Sequence, residues 1–175
     1  ALEPIGEGYG QWGLDGKGRS KTWKDELRDH SMSEDDEETR GADFYDSDLH
    51  MRLREKIRPL VELMPEERVM IHDDVGFGNA LSDGKKITAV IDWVQAGYGD
   101  PLRDVAWLDF WDEKQGFADA FKKHYEEQGQ PSKDFEHRLL CYKLLIGLNS
   151  LGFFARSRQK EKYDYAIGII DRIRK

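Results

Sequence analysis

The chain has 175 residues, 35% charged and 38% hydrophobic, enough to bury the core of about one domain and too apolar for a wholly disordered chain. Its formal net charge of -8 argues against a general nucleic-acid binder and is compatible with attracting a polycationic ligand. No run of about 18 apolar residues and no basic-then-apolar leader is present, so no membrane partner is expected and the cytoplasm is the expected compartment.

Residues 1–21 form a Gly-rich N-terminal arm without helical or strand periodicity, expected to be loop. Within it, Gly8-Tyr9-Gly10-Gln11-Trp12-Gly13 fits G-x-G-x-x-G. It follows no predicted strand and opens no predicted helix, so a dinucleotide site is not indicated. Lys17, Arg19, Lys21 and Lys24 are the cations most available to phosphate, although each one singly reads as a solvated surface side chain. A short helix is predicted from Thr22, its cap, to His30. The polar stretch 31–48 follows, and its acidic run 34–38 reads as a solvated loop.

Leu49, Met51, Leu53, Ile57, Leu60, Val61 and Met64 recur mostly at helical spacing, with Pro59 as a point of kinking or fraying. A strand is predicted at 69–71, then a hairpin of 80–82 and 87–91 around the turn dipeptide Asp83-Gly84. Asp100-Pro101 opens the next helix as N-cap and first helical residue. Helices are expected near 115–128 and 134–157, the second apolar nearly all round and therefore central. A last helix carries Tyr163, Ala166, Ile167, Ile170 and Ile173 on one stripe, and Cys141 reads as a buried core thiol in a reducing compartment. No linker that would split the chain is evident.

The chemistry is concentrated between His72 and Asp104. Strand, polar loop and hairpin place Asp74, Asn79 and Asp92 at neighbouring strand ends. One carboxylate, Asp74, can accept the proton of an attacking hydroxyl. Asn79 and Asp92 supply hard oxygens for Mg²⁺ on nucleotide phosphates. Gly76 and Gly78 are expected to let the loop turn sharply. Trp93, Trp107 and Trp111 follow, and aromatics at this spacing are more often core than ligand contacts. Trp111 is the exception, because Asp112 and Glu113 come directly after it, and Asp109 shares its helix. Aromatic faces with carboxylates would suit a cationic sugar.

His72, Asp74, Asn79, Ile91-Asp92-Trp93 and Gly99-Asp100-Pro101 resemble the catalytic core of the aminoglycoside phosphotransferase family, in its hygromycin-phosphotransferase-like branch. The sequence departs from the pattern at Asp73, where glycine is usual. That extra carboxylate either raises the pKa of Asp74 by like-charge repulsion or points into solvent. The resemblance implies a protein-kinase-like C-terminal lobe over 22–175, mainly α with a small β-hairpin, and a catalytic core at 69–111. It also implies Asp74 as the catalytic carboxylate, Asn79 and Asp92 as Mg²⁺ ligands, and ATP or another nucleoside triphosphate as phosphate donor. His72, Asp100 and Asp104 are expected to brace the loop. The implied acceptor is an aminoglycoside-type antibiotic, a small cationic molecule, and the implied outcome is resistance. Two further readings are another small hydroxylated metabolite as acceptor, or a non-catalytic lobe that binds metal or ligand.

Such kinases carry a nucleotide-binding sheet with a Gly-rich cover and a phosphate-binding Lys ahead of this core. No such strand-rich segment is predicted here. A fragment, a naturally minimal kinase, and a homo-oligomer in which two copies complete each other all stay open.

Overall fold

The computed structural model describes residues 6–32, 35–129 and 134–173. In chain order the elements are β1 (Tyr9–Trp12), β2 (Gly18–Ser20), α1 (Trp23–Met32), α2 (Glu37–Arg40), α3 (Ser47–Val61), β3 (Val69–Ile71), β4 (Ala80–Ser82), β5 (Ile87–Val90), β6 (Gly97–Gly99), α4 (Leu102–Trp111), α5 (Phe117–Glu127), α6 (Phe135–Arg156) and α7 (Lys160–Ile173). The chain divides into two compact units, Ala1–Glu26 with Pro65–Ser132 and Leu27–Met64 with Lys133–Lys175. No linker advertised this division, because each unit is assembled from two separated stretches and has no boundary in composition to show.

In the first unit an antiparallel sheet runs in the order β2-β1-β6-β3, and β4 and β5 form a separate hairpin. The expected loop of the N-terminal arm is therefore corrected: its Gly-rich segment supplies two strands. β1 is Gly-interrupted and takes its central partner from β6, with Gly10 opposite Tyr98 and Gln11 opposite Gly97. The close pairing demands small residues on β6. A Cβ at Gly99 would lie 2.6 Å from the Trp23 ring, which is itself 2% exposed. Trp23 opens α1, where the Thr22 hydroxyl accepts from the Asp25 amide at 3.1 Å and Glu66 accepts from the Trp23 amide at 2.7 Å. Ile71, Leu102, Ala106 and Phe110 are also fully or nearly fully buried in this unit. Each large apolar side chain so buried contributes roughly 1.5–3 kcal/mol.

The second unit is helical. Asp46 caps α3 by accepting from the Leu49 amide at 2.8 Å, and Leu49, Leu53, Ile57 and Val61 then fall on one buried stripe at helical spacing. The helix contains Pro59, which supplies no N–H for an intrahelical bond, and stops two residues later at Val61. α6 packs on α7, α3 and α2. Among the described residues it is the one helix long and apolar enough to cross a membrane, but 72% of that window is buried, as befits a core helix. Cys141 is buried within it.

Candidate active site

Antiparallel pairing of β3 with β6 sets Ile71 opposite Gly97 and Val69 opposite Gly99, so one sheet delivers both His72 and Asp100. Asp100 is 0% exposed and accepts from the Leu102 amide at 3.0 Å, while its carbonyl accepts from the Arg103 amide. It thereby starts α4 as expected. One turn on, the two carboxylate oxygens of Asp104 accept from the backbone amides of His72 and Asp73, each at 2.8 Å. The α4 N-terminus thus holds the polar loop by its backbone. Burial pushes the Asp104 carboxyl above the ordinary carboxylate range, outweighing the two amide hydrogen bonds that favour its charged form.

Asp73 does not point into solvent, and its charge adds only the smallest part of the rise in the Asp74 pKa. Its φ is 59°, in the left-handed region, and its carboxylate accepts from Nε of Arg103 and, at 3.4 Å, from Nη2. The left-handed turn explains why glycine suits this position. It also corrects the role expected of Gly76 and Gly78. Gly76 has φ -159°, extended backbone open to any residue, and a side chain at Gly78 would meet open space.

His72 is 3% exposed and braces the loop. Its Nδ1 accepts from the Asp74 amide at 3.3 Å, so Nε2 carries the proton and donates to the Ile91 carbonyl at 3.0 Å. Its ring also lies 4.7 Å from that of Trp93. This side chain links the loop to the strand end that bears Asp92.

Asn79 ends a single 3-10 turn, Phe77–Asn79. Its Nδ2 donates to the Asp74 carbonyl at 2.9 Å and reaches Asp74 Oδ2 at 3.5 Å, and its carbonyl accepts from the Ile91 amide at 2.9 Å. The last bond extends the β4–β5 register, in which Ala80 faces Val90, by one more pair. Asp92 follows Ile91 directly, exposed and left-handed with φ 63°. The structure therefore brings Asp74, Asn79 and Asp92 together. Burial raises the Asp74 carboxyl above its ordinary value. The Asp92 charge and, least of all, the Asp73 charge add to the rise, against His72 and the Asn79 amide.

These donors fit Mg²⁺. With Nδ2 of Asn79 committed to Asp74, its Oδ1 is turned to other use, and neither Oδ1 nor the Asp92 carboxylate accepts a hydrogen bond among the described residues. Both are hard oxygens of the kind that ion prefers. No group of three or more His, Cys, Asp or Glu suited to a metal occurs among the described residues, so phosphate and water oxygens would complete the shell.

The four further candidates separate. Asp109 is 4% exposed, and its Oδ1 accepts from the Ala118 amide at 3.4 Å, at the start of α5. Trp111 is half-buried, edge-on to Phe110 at 4.8 Å and to Trp107 at 6.3 Å. Asp112 is half-buried and accepts from Gln115 at 3.1 Å, and Glu113 is exposed. Of the basic residues considered for phosphate, Arg19 is committed to Glu26, itself 2% exposed, and Lys17 lies 3.6 Å from Glu7. Arg103 escaped sequence reasoning, because its partner is 30 residues away and no spacing rule joins them.

The Phosphotransferase enzyme family (APH) matches residues 14–136. Hygromycin-B 4-O-kinase of Escherichia coli is 31% identical over 147 residues, 82% of this chain and 42% of that protein. A thermostable mutant of the aminoglycoside phosphotransferase APH(4)-Ia, in ternary complex with ADP and hygromycin B, superposes with a TM-score of 0.80 at 29% identity. That match covers 99% of this chain and 58% of the other. The apo form of such a mutant gives 0.78 at 30% identity, over 95% and 57% of the two chains. The chain thus spans about half the length of the relatives it matches. The mainly helical, protein-kinase-like lobe expected from the motif is borne out. Family match, relatives and superposition agree that this chain belongs to the aminoglycoside phosphotransferase family.

Proposed function

We propose that this chain carries the catalytic lobe of an ATP-dependent O-phosphotransferase whose acceptor is an aminoglycoside-type antibiotic of the hygromycin kind, with resistance as the consequence. The observation that carries this reading is the convergence of Asp74, Asn79 and Asp92 on one hairpin end, with the Asn79 and Asp92 oxygens uncommitted. The acceptor hydroxyl oxygen forms the new bond to the γ-phosphorus, the bond to the bridging oxygen breaks, and ADP leaves. Asp74 takes the hydroxyl proton, a task that its raised pKa favours. Asn79 and Asp92 would hold Mg²⁺, which when bound neutralises charge on the phosphate oxygens. In this reading exposed Glu113 and half-buried Asp112 and Trp111 would meet a cationic ring, whereas Asp109 is buried against the start of α5. That burial of one acid is the observation favouring a second reading, a different small hydroxylated acceptor.

The test is incubation with Mg²⁺-ATP and a panel of aminoglycosides including hygromycin B, read by product mass, beside Asp74→Ala. Calorimetric titration of hygromycin B into the chain separates binding from turnover. One added phosphate that is lost in Asp74→Ala supports the proposal. Product persisting in the variant removes Asp74 from the chemistry, and neither product nor binding rejects this acceptor.

A further inference from the structure

We propose that Arg103 and Asp73 form one positioning unit for phosphoryl transfer: the guanidinium, fixed in α4, holds Asp73 in its left-handed backbone and so sets the direction of Asp74. The inference rests on the reading of Asp74 as the proton acceptor. Asp73 departs from the family pattern, which has glycine there, and adopts φ 59°. A non-glycine residue in that region needs its surroundings to hold it. Arg103 is 4% exposed and presents both Nε and Nη2 to the Asp73 carboxylate. The next residue, Asp104, takes the His72 and Asp73 amides. Two successive residues of α4 thus grip both the side chain and the backbone of the residue preceding Asp74. The guanidinium also offsets part of the Asp73 charge, which is the smallest of the charges acting on Asp74.

A buried pair of this kind has a diagnostic energetics. Removing either partner leaves the other without this contact in a largely buried place, whereas removing both removes the mismatch. The test compares Arg103→Leu, Asp73→Gly and the double variant, by steady-state kinetics and by amide exchange of residues 72–79. Each single variant is expected to lose kcat about tenfold, with KM for nucleotide and acceptor changed less than about threefold. The double variant is expected to return to within about threefold of the parent. Exchange at His72 and Asp73 should quicken in the singles and slow again in the double. Losses that multiply in the double variant, or an Arg103→Leu variant equal to the parent, would overturn the proposal. Should Arg103→Leu fail to fold, the comparison of Asp73→Gly with the double variant decides: deleting Arg103 from an Asp73→Gly background must raise kcat. If the parent turns over no acceptor, the proposed function falls while the exchange cycle still judges the pair.

Discussion

Two half-buried aspartates, Asp104 beside the candidate site and Asp35 in the helical unit, are each tied down by several donors, yet their pKa values move in opposite directions. Asp104 accepts from two peptide amides, and burial wins: its carboxyl is pushed up. Oδ2 of Asp35 accepts from the Tyr45 hydroxyl at 2.7 Å and Arg54 Nη2 at 2.8 Å, and meets His50 Nδ1 at 3.1 Å. Burial opposes ionisation there too, but the bonds from His50, Tyr45 and Arg54 outweigh it, and the carboxyl falls well below the usual range. The Tyr45 hydroxyl is pushed up to about 12, by burial first and then by Asp35. The two differ in depth and in donors together: Asp104 is the more deeply buried and has two peptide amides, whereas Asp35 has three side-chain donors, a guanidinium among them. A cation and side-chain donors favour the charged form of Asp35, which ties the start of α2 to α3. Peptide amides leave Asp104 a brace that tolerates its proton, beside the carboxylates of the 72–79 loop.

The comparison is sharpened first by Asp74→Ala, which should lower turnover by about 10³-fold while leaving thermal stability nearly unchanged, as read by parallel kinetics and melting curves. A large stability loss there would make Asp74 a structural residue like Asp35. Next, Asp35→Asn should cost on the order of 3 kcal/mol at neutral pH, because it strands His50 and Arg54 around a neutral group; denaturant titration measures this. Asp104→Asn should cost about 1–3 kcal/mol, since one loop amide loses its acceptor, and should lower kcat as the loop loosens.

The pH dependence separates the two aspartates more finely. Asp35 is held below its unfolded value, so its stabilisation is present above about pH 4 and lost as pH falls. Asp104 is held above its unfolded value, so its contribution is full below about pH 4 and lost as pH rises through the folded pKa. The penalty of Asp35→Asn should therefore shrink from pH 7 to pH 3 while that of Asp104→Asn grows. Two penalties that move together would break the contrast. The smallest effect expected is Asp46→Ala, about 1 kcal/mol for the lost α3 cap.

What was legible in the sequence was what neighbours in the sequence decide. Helical spacing gave α3 to α7, and turn chemistry placed the β4–β5 hairpin, where the Asp83 carboxylate accepts from the Lys85 and Lys86 amides. The spacing of His72, Asp74, Asn79 and Asp92 pointed to the candidate site because the loop hydrogen-bonds the first three to one another and ties them to Ile91, the residue before Asp92. β1 was invisible because its pairing partner, β6, lies far along the chain and both are rich in glycine. The burial of Asp109 was hidden because an acid on a helix reads as exposed until the next helix is seen to start on it. The Asp73–Arg103 pair depends on a tertiary contact that no periodicity encodes.

The β1–β6 pairing also bears on where this gene can be cut. The family match begins at residue 14, after β1 ends at Trp12, so expression boundaries drawn from the match would discard that strand. β6, whose last residue leads straight into Asp100, would then present a bare row of amides and carbonyls along one edge. Such edges recruit strands from other molecules. A product trimmed to that boundary should be recovered largely as aggregate, whereas one retaining residues 6–13 keeps the strand that covers the β6 edge.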